Sequence, residues 1–246
     1  MEQCNAKREI ISKLKKEILL LQGFKPASTG TFQGIGLGPL EAAFPNAVFP
    51  IGVIHEFLCF SPEHTAASGG FIAGLLKSLM HKGSVCLWIS ASRKLFPPAL
   101  KAFGIEPDRI IFIDPRNEKD VLWTIEEALK CEGLAAVVGE VGEINLMQSR
   151  RLQLAVEKSR VTCFLLRNNA RRVGSNAFMA RWKITPISSE AEDGLPGVGF
   201  PRWTVELLKV RNGNPGTWNI KWSEGRFNFT PRTSEYAVIA EDRKTG

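Results

Sequence analysis

The sequence predicts an α/β fold: a mostly parallel sheet with helices on both faces and an antiparallel C-terminal edge. Three observations carry this. Strand and helix patterns alternate from about residue 53 to residue 166, the order that a parallel sheet with crossover helices requires. Within that span Ser84–Ser90 holds the unbroken apolar run Val-Cys-Leu-Trp-Ile, which suits a strand covered on both faces. From Ala180 onward the pattern changes, and Arg181–Thr185, Trp203–Val210 and Trp218–Trp222 read as strands of a mixed or antiparallel edge.

In chain order, residues 1–24 form an amphipathic helix, 25–230 the core and 231–246 a loose polar tail. In the first of these, Ile10, Ile11, Leu14, Ile18 and Leu21 share one face opposite the charges, and Gly23 fits a C-cap. The Gly/Ser/Thr/Pro-rich stretch Gly23–Gly38 lets this helix either pack on its own domain or reach another molecule. Residues 36–57 give a short helix, a turn and a strand that includes Val53-Ile54. A helix follows over Phe71–Met80, and another over 93–103, where Pro97-Pro98 suit a first turn. Arg109–Asp114 is a strand; Glu118–Lys130 is a helix, acidic at its start and basic at its end as the dipole prefers. Leu134–Gly139 is a strand, Leu146–Ser159 a helix and Val161–Leu166 a strand. Asn212–Gly216 reads as a turn, and Ser188–Gly199 as a mobile loop.

The stretch Glu56–Leu76 sits where such a fold places a phosphate-binding loop, between a strand and a helix. That chemistry needs glycines whose N–H groups cradle the anion, a Lys on the outer phosphates and a Ser/Thr for magnesium. Ser68-Gly69-Gly70 is followed by Phe71 where the Lys belongs, and no Lys or Arg lies between Pro26 and Leu76. A nucleotide site there is expected to be degenerate, with Pro62-Glu63 adding negative charge nearby.

Composition is that of an ordinary globular protein: 44% hydrophobic, 23% charged, net charge +7. The charge permits an anionic partner and equally serves solubility. Five cysteines show no C-x-x-C pairing and no His at metal spacing, so no metal site is expected. Free cysteines in apolar runs fit a reducing compartment, and without a signal peptide or a transmembrane-length run the expected location is the cytoplasm. His55, His64 and His81 are too scattered for a metal or a triad.

Leu37–Phe44, Phe49–Phe57 and Arg202–Gly216 in this order resemble the RecA-type ATPase core. Leu122–Leu129, Ala135–Glu140, Ser149–Ala155, Pro201-Arg-Trp203 and the turn Arg211–Trp218 make the chain similar to the ImuA family, RecA-related and SulA-like accessory proteins of the bacterial mutasome. The likeness spans about residues 6–229 and rests on the ordered set. It implies a RecA-like core supporting translesion synthesis after DNA damage. It also implies partners: an ImuB-like Y-family polymerase homologue and a replicative-type error-prone polymerase, with RecA, a second copy or single-stranded DNA as further candidates. By the same resemblance Glu140 falls at the magnesium-holding acid position, just past its strand, and Ser90–Arg93 offer no catalytic carboxylate. The chain is therefore expected not to be an enzyme and to hold no cofactor.

The loop that approaches DNA in RecA-type proteins corresponds to Arg167, Asn168, Asn169, Arg171 and Arg172 within 167–176. Arginines there suit phosphate contact, or they pair with acids of the chain itself. Two rivals remain open: a SulA-like inhibitor of cell division binding FtsZ, and an ATPase with an unorthodox site.

Overall fold

The computed structural model describes residues 13–14, 17, 35–80, 84–92, 94–170, 173–190 and 199–230. The apolar runs become β1 (Ile54–Cys59), β2 (Val85–Ile89), β3 (Ile110–Ile113), β4 (Leu134–Val141) and β5 (Thr162–Asn168). The Trp-bearing second half becomes β6 (Ala180–Glu190), β7 (Phe200–Val210), β8 (Gly216–Ser223) and β9 (Arg226–Thr230). Together they form one sheet in the order β3-β2-β4-β5-β1-β6-β7-β8-β9. Every pairing from β3 to β6 is parallel, and β6 to β9 pair antiparallel. The expected architecture is thus present, with β6 joining its two parts.

Side chains alternate across each strand, so neighbours in sequence serve different cores. Ala136, Val138, Phe164 and Leu166 pack on one face, under α1 (Pro62–Leu79) and its Phe71, Ile72 and Leu75. Val137, Cys163 and Leu165 pack on the other. That face is covered by Val121 and Ile125 of α2 (Glu118–Ala128) and by Leu152 and Val156 of α3 (Leu146–Ser159). Asn117 starts α2 by accepting from the Asp120 N–H, and Asn145 with Gln148 closes a capping box at α3. Where a helix was expected over 93–103, Pro97–Phe103 forms a 3-10 segment packed beside α1.

The connections decide where a ligand could sit. The segment after β2 packs with α1 on one face, while the helix after β4 packs on the other. The connections leaving adjacent strands β2 and β4 therefore run to opposite faces, which makes their carboxyl ends the switch point where open α/β sheets hold ligands. Among the described residues no helix is long and apolar enough to cross a membrane.

Candidate functional site

The expected phosphate loop is not there. Only Phe60 and Ser61 separate β1 from α1, and Ser68, Gly69 and Gly70 lie inside the helix, not before it. The helix starts at Pro62 because Ser61 accepts from the His64 N–H, Pro62 fits a first turn and Glu63 meets the positive end of the dipole. The Ser61 hydroxyl holds the Glu63 carboxyl below its usual range, so this helix start presents an anion to any incoming phosphate. Gly70 and, one turn on, Gly74 have a packing reason instead. A Cβ on Gly70 would lie 3.1 Å from Phe103 and 3.2 Å from Trp203, and one on Gly74 would lie 2.9 Å from Trp222. Ser68 is buried and accepts from the Cys59 thiol.

Glu140 lies inside β4, not beyond it: the strand runs on to Val141 and pairs Glu140 with Leu166 of β5. Its side chain is only 7% exposed. Oε1 accepts from the Trp88 indole at 3.0 Å, and Oε2 accepts from Ser92 Oγ at 3.2 Å and Asn168 Nδ2 at 3.4 Å. Asn168 Oδ1 in turn accepts from Thr65 Oγ1 of α1 at 2.9 Å. Neutral donors thus take three acceptor positions of a buried carboxylate, and β2, β4, β5 and α1 are tied together at the switch point. Beside it opens a cavity of about 710 Å³. Its walls come from α1, from the 94–103 segment, from the end of β6 and from the start of β7, with Trp88, Leu100, Phe103, Leu166 and Trp203 among the apolar lining. A smaller cavity of about 350 Å³ adjoins it, and Trp88, Leu95 and Glu140 line both.

The arginine loop also differs from expectation. Arg167 belongs to β5 and is 3% exposed, its Nη1 3.0 Å from Glu56 Oε1 and its Nε donating to the Gly142 carbonyl. Arg181 Nε approaches the other oxygen of Glu56 at 2.6 Å, where Asn176 Nδ2 also donates at 2.7 Å. Arg167 is therefore a buried partner of Glu56 and offers no group to DNA. Asn168 serves the Glu140 cluster, while Asn169 is exposed with φ 55°. Arg171 and Arg172 lie outside the described residues. Arg151 pairs with Glu126 at 2.6 Å and Lys183 with Glu206 at 2.7 Å.

Of the proposed contact helix, Leu14 is helical and about half exposed; Ile10, Ile11, Ile18 and Leu21 lie outside the described residues. The tail 231–246 and most of the 188–199 loop also lie outside them, Ser188 and Ser189 being part of β6. His55 is buried, donating to the Pro50 carbonyl and accepting from the Trp182 indole, and burial lowers its pKa to about 4. It is a neutral core residue. Burial likewise pushes the thiols of Cys59 and Cys86 up, and that of Cys163 to about 12. Among the described residues no group of three or more His, Cys, Asp or Glu could hold a metal ion.

Sequence reasoning missed Glu56, Trp88, Asn168 as a Glu140 partner, and the cavity. An acid in the middle of an apolar strand was the available sign for Glu56, since such a charge must find partners.

No protein-family model matches the chain. In fold it is similar to the crystal structure of the RadB recombinase, with a TM-score of 0.55 at 14% identity over 79% of this chain and 97% of that one. A RecA-like fold follows from that likeness, and nothing more. In sequence the chain is similar to Protein ImuA of Caulobacter vibrioides strain NA1000 / CB15N: 33% identity over 220 residues, 82% of this chain and 90% of that protein. Protein ImuA of strain ATCC 19089 of the same species matches equally. With that identity sustained along almost all of the relative, and with the parallel core and antiparallel edge in place, this chain belongs to the ImuA family.

Proposed function

We propose that the chain is a non-catalytic RecA-like scaffold of the translesion-synthesis mutasome, acting in the cytoplasm in the response to DNA damage. Family membership supports the setting, and one observation carries the non-catalytic part: the two-residue junction between β1 and α1. Phosphoryl transfer depends on positioning and on positive charge around the phosphates. A junction of Phe60 and Ser61 running into Pro62-Glu63 supplies no cradle of N–H groups and adds a carboxylate.

The protein then works through contacts, with an ImuB-like Y-family homologue and a replicative-type error-prone polymerase as the proposed partners. RecA, or a second copy docking through the 1–24 helix, is a further candidate. Single-stranded DNA is weaker, because Arg167 is committed to Glu56.

Two measurements test this. Purified protein should release no phosphate from ATP above a heat-treated control, with or without single-stranded DNA. It should co-purify with the ImuB-like protein of the same genome when both are expressed together. Steady phosphate release that disappears in Glu140→Gln overturns the non-catalytic reading, and failure to co-purify overturns the scaffold reading.

A further inference from the structure

We infer that the cavity between α1 and the start of β7 is a docking site for a segment of a partner protein. That segment inserts an apolar or aromatic side chain and brings a Lys or Arg to Glu140. The inference deepens the scaffold reading and rests on it for the kind of partner.

Three observations select this occupant. The cavity, about 710 Å³, is of the size that holds a ligand or a large side chain, and its deep walls are apolar. Phe96 lines the same cavity and is 68% exposed. A chain entering the cavity covers that exposed ring together with the interior. Third is the charge: Glu140 is 7% exposed and meets no cation among the described residues, only the donors of Trp88, Ser92 and Asn168.

A carboxylate offers about four acceptor positions, and three are taken here, two of them on Oε2. The remaining position, on Oε1, is available to an ammonium or guanidinium, and a pairing formed away from water is stronger than one at the surface. Lys94 and Arg202 line the cavity too, Lys94 on its exposed side. Discrimination is therefore assigned to Glu140. An anionic side chain at the same depth meets a buried like charge, which disfavours it.

The test uses the full chain and two blocked dipeptides, acetyl-Phe-Arg-amide and acetyl-Phe-Glu-amide. The readout is the indole N–H resonance of Trp88, assigned with Trp88→Phe, because that N–H bonds the carboxylate in question. The Arg peptide should shift it saturably at concentrations roughly ten-fold lower than the Glu peptide, as a charge-assisted contact requires. In Glu140→Gln the difference should fall to within about two-fold. Ala66→Trp, at an exposed position of α1 on the cavity wall, should abolish the saturable shift without lowering the melting temperature.

Equal response to both peptides, preference for the Glu peptide, or no saturable shift overturns the inference. So does undiminished binding in Ala66→Trp. The scaffold reading fails separately: if wild type does not co-purify with the ImuB-like protein, that reading falls while the titration still decides the site. If wild type co-purifies and Ala66→Trp does so equally, the docking inference falls and the scaffold reading stands.

Discussion

Two buried glutamates, Glu56 on β1 and Glu140 on β4, stand two strands apart in one parallel sheet and are stabilised in opposite ways. Glu56 is fully buried and bears the guanidiniums of Arg167 and Arg181 together with the Asn176 amide. Glu140 is held by three neutral donors and borders two cavities. The first is a closed unit whose carboxylate is answered from within by two cations. The second has no cationic partner among the described residues and faces a space. A buried ion cluster reports on architecture, and a buried anion beside an apolar cavity reports on binding.

Breaking the first unit should give the largest effect. Glu56→Ala leaves two guanidiniums buried beside each other, and losing one partner of a buried pair costs about 3–5 kcal/mol. Urea unfolding should show that loss; a change below about 1 kcal/mol would mean that water reaches the arginines and the cluster is not closed.

The neighbouring His55 sharpens the contrast through pH. Its folded pKa of about 4 lies below the unfolded value near 6.5, so the unfolded chain takes up the proton first on acidification. Its contribution is fully present above pH 6.5 and is lost as pH falls toward 4. Relative to His55→Gln, wild type should lose about 2 kcal/mol between pH 7.5 and pH 5. Parallel pH profiles for the two proteins contradict a buried neutral imidazole.

Glu140→Gln should change stability by about 1–2 kcal/mol, since the amide keeps an acceptor for Trp88 and loses mainly the contacts from Ser92 and Asn168. A loss as large as that of Glu56→Ala erases the distinction between the two sites. Smallest of all is Arg151→Ala, which removes the pair between an exposed guanidinium and the half-buried Glu126 carboxylate, linking α3 and α2. It should cost about 0.2–1 kcal/mol and less in high salt.

Much of this fold was legible in the order of its apolar runs, because strands buried on both faces and helices with one apolar face leave different periods in a sequence. β9 was not: Arg226–Thr230 is short and contributes just Phe227 and Phe229 as apolar positions after a tight turn. The site was half legible. Glu140 stood out as an acid ending an apolar run, but what surrounds it depends on Trp88, 52 residues earlier in the chain. The fate of Arg167 was hidden for the same reason, its partner lying 111 residues away and brought near by strand order alone. Gly69-Gly70 misled because a glycine pair signals a loop and a close helix contact equally well. The start signals at Ser61-Pro62 and the rings of Phe103 and Trp203 decided for the helix.

The short passage from β1 into α1 has a consequence for how this protein can change. Placing a lysine at Phe71 would plant an ammonium in a ring-lined interior more than two turns down a finished helix. A phosphate cradle between β1 and α1 is a matter of chain length and winding, so no point substitution creates one. Only an insertion that unwinds the helix start would make room for one.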